Sequence, residues 1–350
     1  MRRIPIASAV LLVSFAAGPG VASDGVLEIN QTCAVETGCS AGDTPGFPVA
    51  ITGRGGSYRL TSNLVVPDEN TDAIELATGA RDIRIDLGGF LITRSGCALS
   101  ACTPTEGSGT GVRGDSSVNE GVSVRDGSIV GMGGWGVNLR DQAEVTGLLL
   151  RWNRLGGVSA GRGATVFANT IRENGGDGIS ASDGSTVSSN TVRSNGAIGI
   201  SAGTGSTLRG NTVSENVGGG IVVTGGATIV ENSAVANQGN GIEAGTGSNV
   251  LGNTSQGNFG RGIDARFGTR VVGNVVYNNG NGDATDDGIA CEDGCTLTDN
   301  TARSNDGYGI RINGGGTSYR GNTLSNNSQG TVVGGTDVGG NLCNGSTTCP

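Results

Sequence analysis

The 350-residue sequence contains no histidine, and all 22 of its basic residues are arginine, so lysine is missing too. These two absences remove much of enzyme chemistry. Without imidazole or ε-amine there is no Ser-His-Asp or Cys-His nucleophile, no HExxH metal motif and no lysine base. Aromatic residues make up only 3% of the chain, so its core cannot be built around large rings. Beyond the first 17 residues no apolar run is long enough to cross a bilayer. The 22 arginines face 31 acidic residues, for a formal charge of −9. That balance argues against nucleic acid and anionic membrane as partners.

The first residues read as a secretory signal, 1–23: Arg2 and Arg3, a short apolar stretch Ile4–Ala17, and the small-residue site Val21-Ala22-Ser23. Cleavage near Asp24 would remove two arginines and take the charge from −9 to −11. Eight cysteines, an even number, fit an oxidising compartment, secreted or periplasmic. They fall in close pairs, Cys33/Cys39, Cys97/Cys102, Cys291/Cys295 and Cys343/Cys349. Eight cysteines allow 105 connectivities, and this spacing favours four local bridges.

Glycine is abundant, 68 residues, and it is periodic. Asn169, Asn190, Asn211, Asn232, Asn253 and Asn274 are each 21 residues after the last, followed by Asn300 after 26 and Asn322 after 22. Counting that asparagine as position 1, position 3 is apolar (Leu150, Ile171, Val192, Val213) and position 6 is asparagine (Asn153, Asn174, Asn195, Asn216). Position 10 is glycine, positions 11 and 13 are apolar or small, and position 19 is apolar again. A spacing of two is the strand period, and no helical spacing is sustained. Each repeat therefore holds three short strands with Gly/Asn corners.

Repeats of this length that cannot bury their inner face alone form a solenoid. The predicted fold is all-β, a single-stranded right-handed parallel β-helix with about 21 residues per coil. Its asparagines stack as ladders. The expected organisation is an N-terminal cap over 24–50, the β-helix over 51–340 and a C-terminal cap over 341–350.

Coils of the type NTVSENVGGGIVV resemble the right-handed parallel β-helix repeat of pectin-lyase-like proteins, and GSYRLTSNLVVPD with IRIDLGGFLI resembles the first coils of secreted bacterial β-helix proteins. The resemblance covers about residues 50–340. It implies the fold firmly and a polysaccharide partner more loosely, since the superfamily holds lyases, hydrolases, epimerases and carbohydrate-binding proteins. Against the polygalacturonase pattern, Asp286-Asp287 with Gly288-Ile289 is similar to the paired-aspartate coil, and Arg311-Ile312-Asn313 to its RIK element. The aspartate of the preceding coil is replaced by Arg261 and the histidine is absent. Calcium-dependent lyases instead join acidic ligands to an arginine base, and Asp283, Asp286 and Asp287 with Arg303 or Arg311 supply those types.

Two places invite a functional expectation. The long repeat carries NNGNGDATDDGIACEDGC, residues 278–295, an acidic loop between the first and second strands of its coil. Asp283, Asp286 and Asp287 are hard-oxygen donors suited to a weak calcium site. A solvated acidic loop is the alternative, and catalysis through Asp286, Asp287 and Arg311 a further one. The second place is position 4, where Arg151, Arg172 and Arg193 should stack outward on successive coils beside Trp152. A polyuronate could lie along this column, and pairing with Glu173 and Glu215 is the competing use. The leading expectation is a secreted β-helix that binds acidic polysaccharide. The alternatives are a calcium-dependent lyase or epimerase, and a non-catalytic structural surface protein.

Overall fold

The computed structural model describes residues 25–97, 102, 106–114 and 118–349. The stretch 1–23, expected to be a secretory signal, lies outside them. Strands pair in parallel from coil to coil: Thr165–Phe167 lies on Thr186–Ser188, Thr170–Arg172 on Thr191–Arg193, and Asp177–Ala181 on Ile200–Ala202. The chain is a right-handed parallel β-helix of about 14 turns.

Each coil contributes one strand to each of three faces. The first face holds position 2–4 strands such as Thr191–Arg193, the second holds strands such as Asp177–Ala181 and Ile200–Ala202, and the third holds strands such as Thr186–Ser188. The second face is a sheet of 13 strands, which at about 4.8 Å per strand makes the rod roughly 60 Å long. The first and third faces count as one sheet of 25 strands because Ser123–Val130 and Glu144–Arg151 run through both.

Inside, one rung is Val192, Ile200 and Leu208, all fully buried, with Ala202 nearly so. Burying each large aliphatic side chain stabilises by about 1.5–3 kcal/mol. No rung could keep water out by itself; the rungs above and below do. Position 10 must be glycine because the coils close tightly there. A Cβ on Gly178 would strike Val192 and lie 2.6 Å from the Gly199 carbonyl oxygen.

The corners carry the asparagine ladders. Asn174 Nδ2 donates to Asn195 Oδ1 at 3.0 Å, and Asn195 Nδ2 to Asn216 Oδ1 at 3.0 Å. A second ladder runs through Asn169, Asn190 and Asn211, also at 3.0 Å. Each acceptor oxygen also takes the backbone N–H of the coil before it, as Asn195 Oδ1 does from Asn174 N. A residue of left-handed conformation precedes each ladder asparagine, Trp152, Glu173, Ser194 and Glu215 at one corner, with φ of 54–57°.

The coil starts earlier and ends later than its sequence spacing implies. Val26–Ile29 pairs with the strand Arg54–Leu60 and lies inside the stretch expected to be a cap, and Val49–Ile51, which pairs with Ile74–Leu76, crosses its end. Between them a short π-helical turn, Cys33–Thr37, buries Ala34 against the core. At the other end Leu342–Cys343 still pairs with Thr323–Ser325. All four local disulfides are present: Cys33–Cys39, Cys97–Cys102, Cys291–Cys295 and Cys343–Cys349.

Candidate functional site

The arginine column forms as its spacing requires. Parallel register sets Arg151 beside Arg172 and Arg172 beside Arg193 on the outer side of the first face. Like charges one strand apart repel, and two carboxylates relieve them. Glu173 lies 2.8 Å from Arg172 and 3.7 Å from Arg151, and Glu215 lies 4.0 Å from Arg193. Both glutamates occupy left-handed corner positions, which aim them back over the column. The Arg151 guanidinium stacks on Trp152, 3.2 Å from the ring centre. Burial, and then the charge of Arg172, push the Arg151 pKa down, and Glu173 opposes them. Further along the same outward line Arg303 covers Tyr277 at 4.8 Å, and the Tyr277 hydroxyl bonds Gln256.

The acidic insert does project between Val275–Tyr277 and Ile289–Cys291. Its three aspartates, however, are separated by use. Asp283 accepts from the Thr285 N–H at 2.9 Å and the Thr285 hydroxyl at 3.0 Å, which hold its carboxyl below the usual range. Burial pushes the Asp286 carboxyl up, with Asp283 and Asp306 adding to the rise and the Asn281 N–H and Arg261 opposing it. Asp287, the next residue, is fully buried. Among the described residues no three His, Cys, Asp or Glu side chains group closely enough to hold a metal ion. The donor set expected for calcium therefore does not fit: Asp283 is engaged by Thr285 and Asp287 by Arg311.

The structure does bring Asp287 and Arg311 together. Arg311 Nε donates to Asp287 Oδ2 at 2.7 Å, and the Tyr308 N–H donates to Asp287 Oδ1 at 2.8 Å. Asp287 Oδ2 also lies 3.9 Å from Arg261 Nε. Arg261 in turn reaches Asp264 at 3.1 Å, and Asp264 lies 3.5 Å from Arg266. Glu243 and Glu292 complete the set, 3.2 and 2.7 Å from Arg266. These contacts, Glu292 foremost, raise the Arg266 pKa further. The cluster lies on the outer side of the second face, where Glu243, Asp264, Ala290 and Arg311 are successive register partners.

Sequence reasoning paired Asp287 with Arg311 only through a resemblance, and it missed Asp264, Arg266 and Tyr308 altogether. One signal was available. The outward position of this face is serine in Ser159, Ser180 and Ser201, and becomes charged at Glu243, Asp264 and Arg311.

The sequence matches the family described as a right handed beta helix region over residues 70–235 and again over 111–279. No curated protein matches it by sequence. Among solved structures, the A-module of mannuronan C-5 epimerase AlgE6 from Azotobacter vinelandii is similar, with a TM-score of 0.63 and 16% identity over 89% of this chain and 93% of that one. The catalytic domain of a GH87 alpha-1,3-glucanase in complex with tetrasaccharides gives 0.54 and 13%, over 93% and 70%. The Dettilon tailspike protein gives 0.52 and 16%, over 84% and 61%. At such identities the likeness is one of fold.

Proposed function

This chain belongs to the right-handed β-helix family, and we propose that it works outside the cytoplasm and binds an acidic polysaccharide along the axis of its rod. A parallel β-helix repeats each outward side chain at one strand spacing, about 4.8 Å. Such a surface suits a ligand that repeats as well. The observation that carries the reading is the in-register column Arg151, Arg172 and Arg193 with Trp152 stacked under the first. Three guanidiniums meet two carboxylates, Glu173 and Glu215. Counted over these five side chains, the column is positive on a protein of net −9. Uronate carboxylates would dock on the guanidinium forks, and sugar C–H faces on Trp152. The fold neighbours named for mannuronan epimerase and glucanase support a polysaccharide as the partner class. Four disulfides and the leader-like first 23 residues support the location.

A polyuronate column tests the reading. Wild-type protein should be retained and released by salt, and the variant with Arg151, Arg172 and Arg193 all changed to Ser should elute at clearly lower salt.

A second reading, a uronan lyase or epimerase, is favoured by one observation. Asp286 carries a carboxyl with a raised pKa beside Arg261 and next to the Asp287–Arg311 pair. Its expected sign is an ultraviolet-absorbing unsaturated product, or a changed epimer ratio, lost in Asp286→Asn.

A further inference from the structure

We propose that Arg311, hydrogen-bonded to the buried carboxylate of Asp287, and Arg261, 3.9 Å from the same carboxylate, form a second anion site that receives the carboxylate of a single uronate residue. The proposal rests on layering. The chain of contacts Arg266–Asp264–Arg261–Asp287–Arg311 alternates in charge across three coils. Its aspartates lie underneath, with side chains 8% and 0% exposed, and its arginines on top, at 41%, 29% and 25%. Two carboxylates also reach solvent, Glu243 and Glu292 at 35% and 28%, but both pair with Arg266, so Arg261 and Arg311 keep their outer N–H groups beyond them.

Not all three arginines are equally open. Arg266 is ringed by Glu243, Asp264 and Glu292. Arg311 commits its Nε to Asp287 and lies over the Tyr308 ring at 4.9 Å. Its two terminal nitrogens donate to no protein acceptor among the described residues. Arg261 commits Nε to the Thr285 carbonyl oxygen and one terminal nitrogen to Asp264. Two forks held at their bases, with N–H groups left over, are pre-organised for a carboxylate, and little rotamer freedom remains to be lost on binding.

The surroundings select the ligand. The insert meets Arg261 through the Thr285 carbonyl oxygen, and its Asp286 beside that arginine disfavours a densely charged anion. Phe259 and Phe267, 48% and 55% exposed, stand at the two corners of the same coil. A carboxylate carried on a ring with C–H surface fits both features. Asp287 touches no ligand here and is a positioning residue.

The site deepens the acidic-polysaccharide reading but uses another face, so the two separate experimentally. The probes are trisaccharides of mannuronate, guluronate and galacturonate, and the same sugars with their carboxyls reduced to alcohols, titrated calorimetrically into the whole protein. At least one acidic trisaccharide should bind, and its reduced form should not. Arg311→Gln and Arg261→Gln should each weaken binding tenfold or more, and Arg311→Lys should recover little, because lysine has no fork. Asp287→Asn should weaken binding with slower, looser association of both forks, seen as a larger entropic loss. Arg266→Gln should change affinity less than twofold. The Arg151, Arg172 and Arg193 triple variant should still bind the trisaccharide, through Arg261 and Arg311, while eluting from the polymer at lower salt than wild type. Equal binding of reduced and acidic sugars, wild-type affinity in Arg261→Gln and Arg311→Gln when circular dichroism shows them folded, or no binding by any acidic trisaccharide would each overturn the site. The first two leave the polymer reading untouched, and polymer retention measured on the same protein decides it in the third.

Discussion

Arg311 Nε sits 2.7 Å from Asp287 Oδ2, and of the two side chains only the arginine reaches solvent: 25% exposed against 0%. The pair is therefore unequal. Removing the arginine strands a buried charge, with the Tyr308 N–H and the distant Arg261 as its remaining partners. Removing the charge of the aspartate leaves an arginine that can turn to water. Arg311→Ala should cost about 3–5 kcal/mol, the usual penalty for an orphaned buried ion. Asp287→Asn should cost less, about 1–3 kcal/mol, on the scale of a lost charged hydrogen bond. Chemical denaturation of both variants checks the order, and a reversed order would contradict the layered cluster.

The asparagine ladders should be the most sensitive polar positions in the rod. Asn195 accepts from the Asn174 backbone N–H and side chain and donates to Asn216. Asn195→Ala leaves those buried groups unpaired and should destabilise by about 2–4 kcal/mol, since each orphan costs about 1–3 kcal/mol. Thr191→Ala, on an exposed position of the same coil, should change stability by less than about 0.5 kcal/mol. Melting temperatures of the two variants compare them directly.

Trp152 holds a strained backbone where it stands. Its φ of 57° is left-handed, which costs a residue with a side chain about 1–2 kcal/mol. Glycine relieves that strain but loses the stacking of Arg151. Trp152→Gly should keep stability within about 1 kcal/mol of wild type and weaken retention on polyuronate. A variant that melts far lower with unchanged retention would make Trp152 a packing residue alone.

Asp286 gives a pH dependence of defined sign. Its folded pKa is raised, chiefly by burial. The folded state thus holds the proton more tightly than the unfolded chain does. The associated stability is complete below the unfolded value, about 3.9, and is lost as pH rises through the folded value. Asp286→Asn should melt higher than wild type near neutral pH, and the difference should close in acid. A constant difference across that range would show that the group is not desolvated.

The carboxylates of the insert should bind calcium no better than an ordinary acidic surface. Asp283 is committed to Thr285 and Asp287 to Arg311. Titration with millimolar calcium should give no saturable heat, and a saturable site lost in Asp283→Asn would require the loop to rearrange.

The legible parts of this molecule are those that repeat. The asparagine beat and its inner apolar positions foretold the three faces, both ladders and the stacking of Arg151 on Arg172, because parallel register carries position n onto position n of the next coil. The disulfides were legible for a similar reason, each joining neighbours four to six residues apart. What does not repeat was hidden. Arg261, Asp264, Arg266, Asp287 and Arg311 come from three coils and from different positions in them, and only the folded sheet sets them side by side. Adjacency misled in the same way: Asp286 and Asp287 read as partners, but Asp287 is fully buried and paired with Arg311 while Asp286 is not. The ends also escaped, since Val26–Ile29 joins the first coil without the beat that marks later ones.

The most direct test of the central claim is retention of the whole protein on immobilised polyuronate as a function of salt. Wild type should bind at low ionic strength and elute as salt screens the contact, while the protein with Arg151, Arg172 and Arg193 changed to Ser, folded by circular dichroism, should elute at clearly lower salt. Equal retention of the two proteins, or no retention of either, would contradict a polysaccharide track on the first face.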